Sequence, residues 1–96
     1  MVRQMDPMEI LGSKARLKIL YQLSKKDMYV SQLMDLVGMD GKTAKHHLRK
    51  LENAGLISSR EEGRRKYYSL EKEIIVRISP SPNRRYEIQF PKLKEK

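Results

Sequence analysis

The chain is 96 residues long, with 39% hydrophobic and 34% charged residues and a formal charge of +9. A chain this short supports one small core, which favours a single domain over 1–96 and help from a partner chain. The charge points to polyanions, nucleic acid before anionic membrane, and the absence of cysteine excludes disulfides, thiolate metal sites and cysteine nucleophiles.

No apolar run approaches a membrane span, and "MVRQMDPMEI" lacks the apolar core of a secretion signal, so no membrane partner and a cytoplasmic location are expected. Two histidines and twelve carboxylates are the entire metal-binding and acid–base stock. With no phosphate-binding glycine loop, His-Glu-x-x-His pair or nucleophile elbow, neither an enzyme nor a metal or cofactor site is expected.

In chain order, "DPME" reads as a helix entry, with Asp6 as cap, Pro7 at the first helical position and Glu9 where a capping box places its acid. Gly12-Ser13 is a candidate interruption. Beyond it, "KARLKILYQLSKK" spreads Leu17, Ile19, Leu20, Tyr21 and Leu23 over about half of the helical circumference. Two readings stay open: a central helix of the protomer, or one whose second face also packs on a symmetry mate. "SQLMDLVG" predicts a short helix capped by Ser31, with Leu33, Leu36 and Val37 inward and Gly38 as its stop. Met39 then plugs a corner, and Asp40 caps a helix starting at Gly41 or Lys42.

On a wheel of about 100° per residue, Ala44, Leu48 and Leu51 of this second helix share a narrow arc that must be buried. Lys42, His46, Arg49, Lys50 and Asn53 then face away, Thr43 and Lys45 flank them, and His47 borders the buried stripe. Adjacent histidines diverge too far to grip one ion. A solvated basic face is the plain alternative to a binding face.

"NAGLI" ends the helix at Gly55, and "ISSREEGRRKYYSL" reads as a hairpin turning at Glu-Glu-Gly-Arg. From Gly41 to Ser69 there are eight Lys or Arg against three Glu, a local excess of five. The tail alternates Ile74, Val76, Ile78 and Tyr86, Ile88, Phe90 around "SPSPN", which predicts a second hairpin with one apolar face. Such a hairpin is marginal alone, so its face packs on its own protomer or, the favoured reading, contributes to a dimer. "PKLKEK" beyond it reads as a frayed end.

Residues 10–70 resemble the winged helix-turn-helix regulators of the ArsR type, particularly small archaeal members that lack metal ligands. "ILGSKARLKILYQL" is similar to the first-helix signature, "VSQLMDLVGMDGKTAKHHLRKLENAGLI" to the helix-turn-helix and "REEGRRKYYSL" to the wing. The resemblance implies an α+β winged helix-turn-helix with three core helices and a β-hairpin wing over 7–70, joined by the additional C-terminal hairpin over 73–91. It also implies a homodimeric, sequence-specific transcriptional regulator of double-stranded DNA, a repressor, with a recognition helix in the major groove.

The positions that match the family's readers are Gly41, Lys42, Thr43, Lys45 and His46; Arg49 and Lys50 suit phosphate, and Arg60, Arg64, Arg65 and Lys66 suit the backbone or minor groove. Three departures stand out. The metal-sensing branch carries a cysteine motif or ligands on a C-terminal helix, and here there is no cysteine and a hairpin is predicted there. Gly41 stands where a polar reader is common, and Lys42 and Lys45 stand where serine is common. Those lysines support an alternative, a low-specificity architectural nucleic-acid-binding protein; an interaction module that no longer binds DNA is a third reading, opposed by the basic helix and wing. No small-molecule effector is implied.

Overall fold

The computed structural model describes residues 6–82 and 86–93; residues 1–5, 83–85 and 94–96 lie outside it, and with them the last residue of the expected bend "SPSPN" and the last three of the expected frayed end "PKLKEK". The entry helix α1 (Pro7–Leu11) starts as expected, with the Asp6 carboxylate accepting from the Met8 amide. It stops at Gly12, where a Cβ would stand only 2.8 Å from the Met8 carbonyl oxygen. Ser13 then caps α2 (Lys14–Leu23) through the Arg16 amide. The Gly12-Ser13 break thus makes four helices where three core helices were expected.

The wide stripe of α2 divides in two. Ile19, Leu20 and Leu23 are buried, whereas Leu17 and Tyr21 remain exposed. After α2 the chain makes a two-residue strand, β1 (Met28–Tyr29), which no sequence pattern announced, and enters α3 (Val30–Val37). The helix begins one residue before Ser31, which lies inside it; Tyr29 is the cap residue, and its amide donates to the Gln32 side chain at 3.1 Å. Leu33 is buried and Val30 and Val37 pack on the core, but Leu36 is 56% exposed, contrary to expectation. The phase explains it: Val30, Leu33 and Val37 share one side, and Leu36 lies roughly a quarter-turn from its centre.

The second helix of the helix-turn-helix, α4 (Gly41–Asn53), follows the tight turn, with Met39 packed on the core and Asp40 accepting from the Thr43 amide at 2.8 Å. Ala44, Leu48 and Leu51 are fully buried, as the wheel requires. Strands β2 (Ile57–Glu62) and β3 (Arg65–Leu70) form the wing, paired from Ile57↔Leu70 to Glu62↔Arg65 around Gly63 and Arg64. Gly63 holds φ +64, a left-handed conformation that a tight hairpin needs and a side chain disfavours. β1 adds to β3 through Met28↔Tyr68, giving the order β1-β3-β2.

The C-terminal hairpin, β4 (Ile75–Ile78) and β5 (Tyr86–Gln89), pairs Val76 with Ile88 and Ile78 with Tyr86. Ile74 and Phe90 at its base pack on the core, whereas Val76, Ile78 (75% exposed) and Tyr86 face solvent in the single chain. The following segment is not frayed as far as it is described, since Lys92 bridges Lys72.

Because Leu48 sits at the centre of the buried stripe of α4, Leu48→Ala should cost about 3 kcal/mol through lost contacts and a residual cavity. Urea denaturation followed by far-ultraviolet circular dichroism checks this, with a midpoint within error of wild type as the contrary result.

Candidate nucleic-acid interface

Burying Ala44, Leu48 and Leu51 leaves Lys42, Thr43, Lys45, His46 and Arg49 exposed on α4, while Lys50 and His47 are half-buried. Thr43 is committed to the cap: its hydroxyl donates to the Asp40 carboxylate at 3.2 Å, besides the amide bond to the same group. These bonds, the amide's first, hold the Asp40 pKa below the ordinary carboxylate value. Thr43 therefore offers a methyl and hydroxyl lone pairs, not a free donor.

The two histidines part company. His46 is exposed, and its ring centroid lies 5.5 Å from that of His47 at an interplanar angle of 60°. His47 turns toward Arg16 of α2, whose Nη1 lies 3.2 Å from its Nδ1. A guanidinium only donates, so the imidazole accepts there and is neutral, with its proton on Nε2. Burial lowers the His47 pKa below its usual 6.5, and the nearby charges of Arg16, His46 and Lys50 lower it further.

Arg16 is a residue that the sequence reading missed. It is 8% exposed, and its Nε and Nη2 donate to the carbonyls of Ile10 at 2.9 Å and Glu9 at 2.7 Å. These are end carbonyls of α1 without helical partners. One guanidinium thus joins α1, α2 and α4. The available signal was an arginine set one helical turn ahead of Ile19 and Leu20.

Strand alternation divides the wing cations. Arg65 stacks over Tyr29 at 4.3 Å, and Tyr29 meets Tyr67 edge-on at 5.4 Å between centroids. Lys66, on the opposite face of β3, lies 5.6 Å from the Tyr68 centroid. There it lines a cleft of about 390 Å³ with Lys45, Arg49 and Glu52. Arg64, Arg65 and Lys66 also line a smaller cleft against Tyr29, Val30 and Ser31, at the start of α3.

Arg60, expected at the DNA backbone or minor groove, has its charge engaged within the protomer. Its Nη1 donates to Asp27 at 2.7 Å and to the Ser69 hydroxyl at 2.9 Å, and its Nε is paired with Glu62. The bonds to Glu62 and Asp27 raise its pKa. Arg60 ties β2 to the segment before β1, and two carboxylates offset its charge. Among the described residues, no three His, Cys, Asp or Glu come together as a potential metal site, and no helix is long and apolar enough to cross a membrane.

Residues 13–59, which span α2 to the first half of β2, match the family model described as "Bacterial regulatory protein, arsR family". The chain belongs to the ArsR family of transcriptional regulators. It is 34% identical over 80 residues to the cadmium resistance transcriptional regulatory protein CadC homolog of Staphylococcus aureus, covering 76% of this chain and 66% of that protein. It is 36% identical over 63 residues to the HTH-type transcriptional regulator NmtR of Mycobacterium tuberculosis, covering 66% and 52%. Both relatives are named as regulators, not enzymes, and the chain spans between half and two thirds of their lengths.

A solved homodimeric winged helix-turn-helix DNA-binding domain from Mycobacterium bovis, a possible ArsR-family transcriptional regulator, superposes with a TM-score of 0.62 at 34% identity. The match covers 65% of this chain and 57% of that one. The winged helix-turn-helix expected from the residues is therefore the fold.

The Arg16–His47 contact makes stability depend on pH. Because the folded-state pKa of His47 lies below 6.5, the folded state binds fewer protons than the unfolded chain. Its contribution is complete above about pH 6.5 and declines as pH falls toward the folded value. Arg16→Leu should destabilise the fold by about 2 kcal/mol, since two carbonyls lose their donor, and should raise the His47 pKa. Denaturation midpoints and an imidazole NMR titration check both; an unmoved His47 titration would contradict the assignment.

Proposed function

We propose that the protein is a homodimeric, sequence-specific regulator of transcription that binds double-stranded DNA and acts as a repressor. The observation that carries this reading is the meeting of helix and wing cations: Lys45 and Arg49 of α4 share one cleft with Lys66 of β3. Three positive groups outweigh the one carboxylate of the cleft, Glu52, which already accepts from the Ser59 hydroxyl at 2.7 Å; the net positive charge suits a phosphate, and a duplex laid along the cleft would present its major groove to Lys42, Thr43, Lys45 and His46. Lysine there can donate to guanine O6 and N7, and His46 can donate to a base or backbone oxygen.

Arg49 and Lys50 lie deeper along the helix and serve phosphates. Arg64 and Arg65 at the wing tip reach the neighbouring backbone or minor groove, and Arg60 braces the wing that carries them. Dimerisation is supported by the solvent-facing Val76, Ile78 and Tyr86 of the C-terminal hairpin and by the homodimeric relative. A two-fold dimer would set two recognition helices about one turn of DNA apart, on a roughly palindromic site.

If each protomer neutralises about four phosphates, affinity should fall by about four decades between about 50 and about 200 mM salt. Lys66→Ala and Arg49→Ala should weaken all duplexes alike and flatten the salt slope, whereas Lys42→Ala and His46→Ala should also relax preference among duplexes. Fluorescence anisotropy on a duplex selected from a random pool and on a scrambled one decides the matter. A selected-to-scrambled ratio below about one hundred would favour an architectural role, and no binding to either duplex at low salt would exclude the reading.

A further inference from the structure

On the α2 side of the molecule, Leu17 and Tyr21 face Ile74 and Leu93, from the segments that flank the C-terminal hairpin at its base, across an open-sided cleft of about 590 Å³. Its size and apolar walls are those of a small-molecule site. Among the described residues, the charged side chains lining it are both acidic, Asp27 and Glu73. That inverts the balance of a chain with 21 Lys or Arg against 12 Asp or Glu.

Two further observations bear on what would fill it. Tyr21 already carries the Lys25 ammonium 4.5 Å from its ring centroid, so one face of the ring is taken and a ligand's charge is left to the carboxylates. Asp27 is also the carboxylate that holds Arg60, which places one rim of the cleft and the brace of the wing on the same group.

We propose that the cleft binds an organic monocation with a bulky apolar body. The apolar part lies against Leu17, Ile74 and Leu93, and the charge sits between Glu73 and Asp27 at the rim. Bound cation and Arg60 compete for Asp27, so occupancy loosens the tie between β2 and the segment before β1. A looser wing must be ordered again on binding, which lowers affinity for DNA. This consequence rests on the DNA-binding reading above; the binding site does not.

The test uses the full chain, tetraphenylphosphonium, and tetraphenylborate as its anionic isostere. A protein of high positive charge attracts the anion overall, so preference for the cation reports the local carboxylates. Methyl NMR should show tetraphenylphosphonium shifting Leu17, Ile74 and Leu93 with a dissociation constant below about 1 mM, and tetraphenylborate at least about tenfold weaker at the same methyls. Glu73→Gln should weaken the cation about tenfold. No shifts, or equal response to both ions, would overturn the site. Dilution-dependent shifts at these methyls without a response to the cation would do so too, and would give the cleft to a second copy of the chain.

With DNA present, saturating tetraphenylphosphonium should lower affinity by at least about threefold in wild type and not in Asp27→Asn. Unchanged affinity overturns the coupling alone, whereas absent DNA binding without any cation overturns the DNA reading and leaves the site standing.

Discussion

The burial of Ala44, Leu48 and Leu51 is the constraint on which the rest of the molecule depends. A helix of 3.6 residues per turn has one rotational degree of freedom against its core, and these three fully buried side chains remove it. Once the helix is locked, Lys42, Lys45, His46 and Arg49 have no choice but to face outward. The basic surface therefore follows from the apolar one. Arg16 reinforces the same lock from the other side, reaching His47 from α2 while it closes the end of α1.

What could be read in the residues was whatever obeys a local period or a local cap. The stripe of α4, the Asp6 and Asp40 caps, the wing and the paired faces of the C-terminal hairpin all depend on neighbours a few positions apart. What escaped was held by contacts distant in sequence. β1 is two residues long and exists because Met28 and Tyr29 find Tyr68 and Tyr67 some forty positions later. The Arg60–Asp27 and Arg16–His47 pairs span 33 and 31 positions, and no window of sequence displays them.

The candidate site was legible to a similar depth. The charge excess on α4 and the wing marked these elements as the candidate site, but treated the wing cations as one set. The fold separates them into Lys66 toward α4, Arg65 over Tyr29, and Arg60 embraced by carboxylates. Leu36 shows the same limit within a helix: it has the composition of a core position and the phase of a flank.

Strand alternation in β3 carries a further consequence for how this wing tolerates change in length. Side chains on a strand change face at every residue. One residue added between Lys66 and Tyr67, with Tyr68 kept in the core, would move Arg65 and Lys66 each to the opposite face, taking Arg65 off Tyr29 and Lys66 out of the cleft it shares with Lys45 and Arg49. Adding or removing two residues restores the faces and changes only the reach of the tip. Variation in wing length that preserves this chemistry is therefore expected in pairs.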